Sequence, residues 1–143
     1  MNRKFGTIIL DTAFRYLVPF ILVYGMYVLM HGEYSPGGGF QAGALFGIAV
    51  VLGRLIQGEE AMLNISGNTA IILAGIGTFI YGFIGVLTML FNGNFLEYGA
   101  FPLNMAEADR HALGILGIEI GVTICVMATI IAIFDALTRR EEW

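Results

Sequence analysis

Four long stretches of uncharged, mostly apolar residues dominate this sequence and constrain its fold more than any other feature. Charged residues make up only 13% of the 143 residues and gather in short clusters between those stretches. A soluble domain carries about 25% charged residues. An apolar stretch of about 20 residues is long enough to cross the hydrocarbon core of a bilayer as a helix. The sequence therefore predicts an all-α integral membrane protein.

We predict four transmembrane helices within a single membrane domain that covers residues 1–143. The predicted spans are about 11–31, 40–56, 69–91 and 112–136. The first span has the charged start of a signal peptide, but no small-x-small cleavage site follows Met30. We therefore expect it to be retained as a membrane helix.

The positions of lysine and arginine predict how the chain is oriented. If the chain crosses the membrane four times, six of these seven residues share the side of the N-terminus: Arg3, Lys4, Arg15, Arg54, Arg139 and Arg140. Only Arg110 lies on the other side. Because lysine and arginine favour the cytoplasmic side, the sequence predicts an N-in, C-in protein. The link around His31 and the segment before His111 would then both face outward.

A glycine-rich stretch joins the first two predicted spans. Pro36 suits the first turn of a helix, and the glycines that follow permit a close approach by another backbone. Glycines recur at every fourth residue from Gly39 to Gly47, which is a pattern that lets helices pack tightly in membranes. We assign a helix-packing role to Pro36, Gly37, Gly38, Gly39, Phe40, Gly43 and Gly47. We expect the packing partner to be the backbone of a neighbouring subunit.

Glu119 is the most informative single residue, because it is a carboxylate well inside the fourth span. Such a residue is costly in a membrane and usually faces a protein interior or a wet path. Two interpretations stay open: Glu119 lines an ion or proton pathway, or it fastens two helices together. His31 and Glu33 are weaker pathway candidates, since both also suit a polar cap on the first helix.

Two further pairs of charged residues have the spacing of helical ion pairs. Asp11 and Arg15 are four residues apart, so they would share a helix face. Asp135 has the same spacing from Arg139, and we expect it to be an interfacial residue at the end of the last helix.

The sequence contains no pattern of an enzyme active site or a resident cofactor. Gly37-Gly38-Gly39 is not followed by lysine, so it is not a phosphate-binding loop. No HExxH, CxxC or serine nucleophile motif is present, and the single cysteine, Cys125, excludes a disulfide framework. We expect no enzymatic activity, no cofactor, no metal site and no nucleic-acid partner.

The stretch HGEYSPGGGFQAG resembles the signature of the MnhB/MrpB family, whose members are subunits of Mrp-type multisubunit Na⁺/H⁺ antiporters. Its characteristic elements are His31-Gly32, the run from Pro36 to Phe40, and Gly43. The last span is also similar to the family's last helix, with Glu119-Ile120-Gly121 and Phe134-Asp135. Ala42 stands where many members have a glycine.

The resemblance implies a multi-pass subunit in the plasma membrane of a prokaryote. Its partners would be the large antiporter-like subunits and the small membrane subunits of the complex, and the transported ions would be Na⁺ and H⁺. Related subunits occur in membrane-bound hydrogenases and in sulfur-reducing complexes coupled to sodium transport, which is the alternative. Two further hypotheses are a purely structural spacer between larger subunits and an independent small transporter.

Overall fold

The computed structural model describes residues 8–32, 37–58, 61 and 63–138. It contains four long helices: α1 (Ile8–Met30), α2 (Gly39–Gln57), α3 (Gly67–Leu90) and α4 (Glu107–Thr138). All four are long and apolar enough to cross a membrane. The predicted four-helix membrane fold is therefore confirmed. The N-in, C-in orientation stays a prediction.

The fourth helix begins five residues earlier than the apolar run that predicted it. Its polar first turn, from Glu107 to His111, continues the same helix beyond the uncharged residues. Hydropathy marks where a helix can lie in lipid, not where its hydrogen bonding begins, so polar turns at helix ends were missed. The Asp11–Arg15 pair predicted on α1 is confirmed, with Arg15 Nε 3.0 Å from Asp11 Oδ2.

α4 is the central helix of the bundle. It packs against α3 and α2, whereas α1 packs mainly on α2 and contacts α4 only slightly. Most large apolar side chains of α1 and α3 point outward, as a lipid-facing or subunit-facing surface requires. The interior contacts are made by small residues such as Ala42, Ala70 and Ala128, which are fully buried.

Neighbouring contacts show which helix ends lie together. Gly39 meets Glu119, while Gly67 meets Asp135, so α2 runs parallel to α4 and α3 runs antiparallel to it. One end of the bundle, here named the His31 end, holds the end of α1 and the starts of α2 and α4. The opposite end, named the Arg54 end, holds the end of α2 and the start of α3.

Two aromatic side chains that pack against glycines anchor the α3–α4 connection to the His31 end. The Phe95 ring lies on Gly85 of α3, and the Tyr98 ring lies on Gly114 of α4. Burial raises the pKa of the Tyr98 hydroxyl, and the nearby Tyr81 adds to that rise. The connection is therefore packed on the bundle through these rings.

Thr88 fastens the same connection from the end of α3. Its side chain is fully buried, and its Oγ1 accepts a hydrogen bond of 3.0 Å from the Leu96 amide. The same oxygen lies 2.8 Å from the carbonyl oxygens of Gly85 and Asn94.

Replacing Thr88 with valine should destabilise this end of the protein by about 1–3 kcal/mol, since the Leu96 amide loses the acceptor that the buried Thr88 side chain provides. The measurement is the thermal unfolding midpoint of the purified protein. Thr78→Val is the matched control on the same helix, because the Thr78 hydroxyl is exposed and bonds mainly to its own helix at Ala74. Equal midpoints for the two variants would contradict the assigned role of Thr88.

Candidate functional site

The carboxylate of Glu119 lies against two glycines that flank the α1–α2 link. Gly32 follows the end of α1, and Gly38 precedes the first residue of α2. A Cβ atom added to Gly38 would lie 2.8 Å from Glu119 Oε1, and one added to Gly32 would overlap the carboxylate. Only residues without a side chain leave room for the carboxylate here.

The same carboxylate lies at the N-terminus of α2. Gly38 has a left-handed φ of 102°, which favours glycine, and it supplies no side-chain cap. The first backbone hydrogen bond of α2 joins the Ala42 amide to the Gly38 carbonyl. The preceding amides therefore form the partially positive end of the helix, which stabilises a nearby negative charge.

A crevice opens beside Glu119 between the end of α1 and the start of α4. Its volume is about 150 Å³. The lining residues are Leu29, Met30, Gly32, Ala112, Leu113, Leu116 and Glu119. Among the described residues of this lining, Glu119 is the one ionisable side chain. An apolar lining disfavours a charge, whereas the end of α2 favours it, so two opposed effects act on one carboxylate.

The glycines at every fourth residue of α2, here named the glycine ridge (Gly39, Gly43 and Gly47), pack on α4 of the same chain. A Cβ atom on Gly39 would lie 2.8 Å from the Glu119 Cα, and one on Gly43 would lie 2.7 Å from the Thr123 carbonyl oxygen. Gly47 faces Ile130 in the same way. The glycine spacing led us to expect a neighbouring subunit at this surface, but α4 occupies it.

Thr123 joins the two helices beside Glu119 by a hydrogen bond. Its Oγ1 lies 3.0 Å from the Gly39 carbonyl oxygen and 2.7 Å from the carbonyl oxygen of Glu119 in its own helix. The side chain is buried, so this bond holds the start of α2 at the level of Glu119.

The other residues predicted for this site have different positions. Phe40 is 67% exposed, so it takes no part in the α2–α4 contact, because it points away from the ridge. The His31 ring stacks on Tyr27 with centroids 4.2 Å apart, and His31 Nδ1 lies 3.1 Å from the Tyr27 carbonyl oxygen. Gly37 is partly buried beside Gly38. Glu33 and Pro36 lie outside the described residues.

An ion pair at the Arg54 end was not predicted from the sequence. Arg54 Nη2 lies 2.8 Å from Asp135 Oδ1, and the two side chains are only 17% and 8% exposed. Arg54 also donates to the Ile65 carbonyl oxygen at 3.2 Å, and its guanidinium lies over the Phe134 ring. The expected partner of Asp135, Arg139, lies outside the described residues. One sequence feature could have indicated this pair: Arg54 and Asp135 each lie near the end of a predicted span, on the same predicted side of the membrane.

Asp135 also accepts a hydrogen bond from the first amide of α3. The Gly67 nitrogen lies 3.1 Å from Asp135 Oδ2. Both acidic residues in the apolar part of α4 thus lie at the start of another helix: Glu119 at α2 and Asp135 at α3. Their 16-residue separation places them roughly 24 Å apart along α4.

Comparison with known proteins gives a consistent result. The family described as a domain related to the MnhB subunit of Na⁺/H⁺ antiporter matches residues 9–132. The chain is 28% identical over 137 residues to a Bacillus subtilis protein named as a Na(+)/H(+) antiporter subunit, covering 90% of this chain and 96% of the relative. It is 27% identical over 136 residues to a Staphylococcus aureus (strain Newman) protein named putative antiporter subunit mnhB2, covering 94% and 96%.

Proposed function

The chain belongs to the MnhB family, and we propose that its Glu119 lies on an ion or proton pathway of the antiporter complex. Family membership makes the chain a membrane subunit of a multisubunit Na⁺/H⁺ antiporter. The resemblance noted in the sequence is confirmed. The alternative, a subunit of a hydrogenase or sulfur-reducing complex, is not favoured by relatives named as antiporter subunits.

One observation carries the pathway proposal: the carboxylate, in the apolar part of α4, lies between a crevice and a helix N-terminus. The crevice reaches Glu119 from between α1 and α4. The apolar lining disfavours the charged form of the carboxylate and the end of α2 favours it, so both proton uptake and cation binding are chemically open to this group. Such a group is suited to taking up and releasing a proton or a cation.

The remaining parts of the proposal concern the partners, the transported ions and the location of the complex. We propose that the chain contacts large antiporter-like subunits and small membrane subunits, and that Na⁺ and H⁺ are the exchanged ions. The proposed location is the plasma membrane of a prokaryote, with the lipid bilayer around the exposed apolar faces. A transporter subunit of this kind has no enzymatic activity of its own.

A structural spacer is the second candidate function. The observation that favours it is the close packing of α2 and α3 on α4, together with the buried Arg54–Asp135 pair. In a spacer, Glu119 would only hold the start of α2 in place.

Glu119→Gln in the assembled complex distinguishes the two functions. Under the pathway proposal, antiport in membrane vesicles falls several-fold while the amount of assembled complex stays normal, because glutamine keeps the shape but cannot ionise. Glu107→Gln is the matched control on α4, since Glu107 lies at the exposed start of the helix. That variant should transport normally.

Unchanged antiport and unchanged assembly of Glu119→Gln would refute the pathway role. Loss of assembly together with antiport would favour the spacer. Purification of a tagged chain without any larger partner would instead support the independent small transporter.

A further inference from the structure

Two glycines on either side of the α1–α2 link determine where the Glu119 carboxylate lies. We propose that Gly32 and Gly38 are positioning residues that hold this carboxylate at the N-terminus of α2, and that this position tunes the pH dependence of transport. The inference rests on the pathway role of Glu119 proposed above. It assigns to the glycines a role that differs from helix packing, because they contact a side chain rather than a helix ridge.

The glycines leave just enough space for the carboxylate. The two residues come from opposite sides of the α1–α2 link, yet both lie against one carboxylate of α4. A Cβ on Gly32 would lie 2.7 Å from Oε2 and 2.8 Å from Cδ, so any side chain there displaces the whole carboxylate. At Gly38 the added atom would approach only Oε1, at 2.8 Å.

The position also provides a distinct electrostatic environment. Gly38 carries the left-handed φ of 102° that turns the chain into α2, and it supplies no side chain to cap the first amides. The carboxylate of Glu119 lies beside Gly38, the N-cap residue of α2. Negative charge at that position is stabilised by the helix end.

The other acidic residue in the apolar part of α4 has a different environment. Asp135 lies at the start of α3 in the same way, but the buried Arg54 holds it by an ion pair of 2.8 Å. Glu119 lies instead beside a crevice with an apolar lining. The carboxylate at the Arg54 end therefore has a cationic partner from α2, whereas the carboxylate at the His31 end lies beside a crevice.

Three ionisable side chains on α1, α2 and α4 contact residues other than Glu119 in the described part of the chain. His31 on α1 stacks on Tyr27 of its own helix. His111 on α4 lies 3.9 Å from Glu107, one turn before it. On α2 the charged residue is Arg54, fifteen residues after Gly39 and bound to Asp135.

The test is Gly32→Ala in the complete antiporter complex. The added Cβ displaces the carboxylate from its position beside Gly38. We expect the antiport pH profile to move by about half a unit to one unit. Gly53→Ala is the matched control, since a Cβ there meets nothing within 4 Å. It should leave the profile unchanged.

A second substitution turns the same geometry into a rescue experiment. Glu119→Asp shortens the side chain by one methylene and withdraws the carboxylate from an added Cβ at residue 32. The double variant Gly32→Ala/Glu119→Asp should therefore transport better than Gly32→Ala alone. If Gly32→Ala alone fails to assemble, the double variant should recover the assembled complex.

Distinct outcomes overturn the inference and the proposed function. If Glu119→Gln abolishes antiport but Gly32→Ala assembles with the profile of the unmodified protein, the positioning role is wrong and the pathway stands. If Glu119→Gln transports normally, the proposed function itself is wrong. A double variant that stays unassembled, or transports no better than Gly32→Ala, also contradicts the positioning role.

Discussion

Replacing Asp135 with alanine should lower the free energy of unfolding by about 3–5 kcal/mol, because it leaves the Arg54 charge buried without its carboxylate. The Gly67 amide at the start of α3 also loses its acceptor. Four elements are affected at once: α4, the end of α2, the start of α3 and the connection that carries Ile65. We expect this variant to have the lowest thermal unfolding midpoint of the single substitutions considered.

The exposed pair on α1 provides the matched control. Asp11→Ala breaks a bond of similar length, but both side chains are largely exposed, at 43% for Asp11 and 62% for Arg15. Exposed pairs spaced by four residues in a helix contribute about 0.3–0.5 kcal/mol. The two variants are compared by unfolding of the purified complex in detergent. Similar midpoints for both would contradict the assigned role of the buried pair.

A double variant separates the charge effect from the shape effect. Arg54→Gln/Asp135→Asn removes both charges and keeps an amide oxygen that can accept from Gly67. Because neither partner then leaves an unpaired charge behind, the double variant should be more stable than Arg54→Gln or Asp135→Asn alone. Additive losses would mean that the two side chains do not interact.

Gly77→Ala should lower the free energy of unfolding by about 1–3 kcal/mol, because the added methyl group overpacks the α3–α4 contact. A Cβ on Gly77 would lie 2.6 Å from the Cys125 nitrogen and 3.0 Å from its Cα. These are backbone atoms of α4 and cannot rotate out of the way. The helices α3 and α4 must separate to admit the methyl group, which also disturbs their contact at Gly121.

Gly75→Ala is the matched control two residues earlier on the same helix. A Cβ at Gly75 meets nothing within 4 Å, so the substitution adds helix propensity without a clash. Alanine is about 1 kcal/mol more favourable than glycine within a helix. The unfolding midpoint should therefore stay the same or rise for Gly75→Ala and fall for Gly77→Ala. Equal effects would argue against close α3–α4 backbone contact.

Much of the candidate site was predictable from sequence, because a carboxylate in an apolar run is visible locally. Glu119 was identified in this way, and the glycines of the α1–α2 link were recognised as permitting close approach. The occupant of the glycine ridge was not predictable. A spacing of four residues shows that a helix has a flat face but carries no information on which helix covers it.

The Arg54–Asp135 ion pair is a clearer example of a contact that local sequence cannot predict. Arg54 and Asp135 are 81 residues apart, whereas local spacing predicts only pairs that are close in sequence, such as Asp135 with Arg139. Such spacing favours neighbours on one helix, whereas burial depends on how three helices meet. The contact between Asp135 and the Gly67 amide could not be predicted either, since it depends on where α3 begins relative to α4.

The sequence by itself determined the number and approximate bounds of the membrane helices, the family, and the residue to test first. These follow from hydropathy and from a short motif, both of which are local properties of the chain. Only the tertiary structure decided that α4 lies at the centre and that the two carboxylates in its apolar part each lie at the start of another helix. The physical reason is that such contacts depend on the relative direction, depth and rotation of packed helices, which no single segment of sequence specifies.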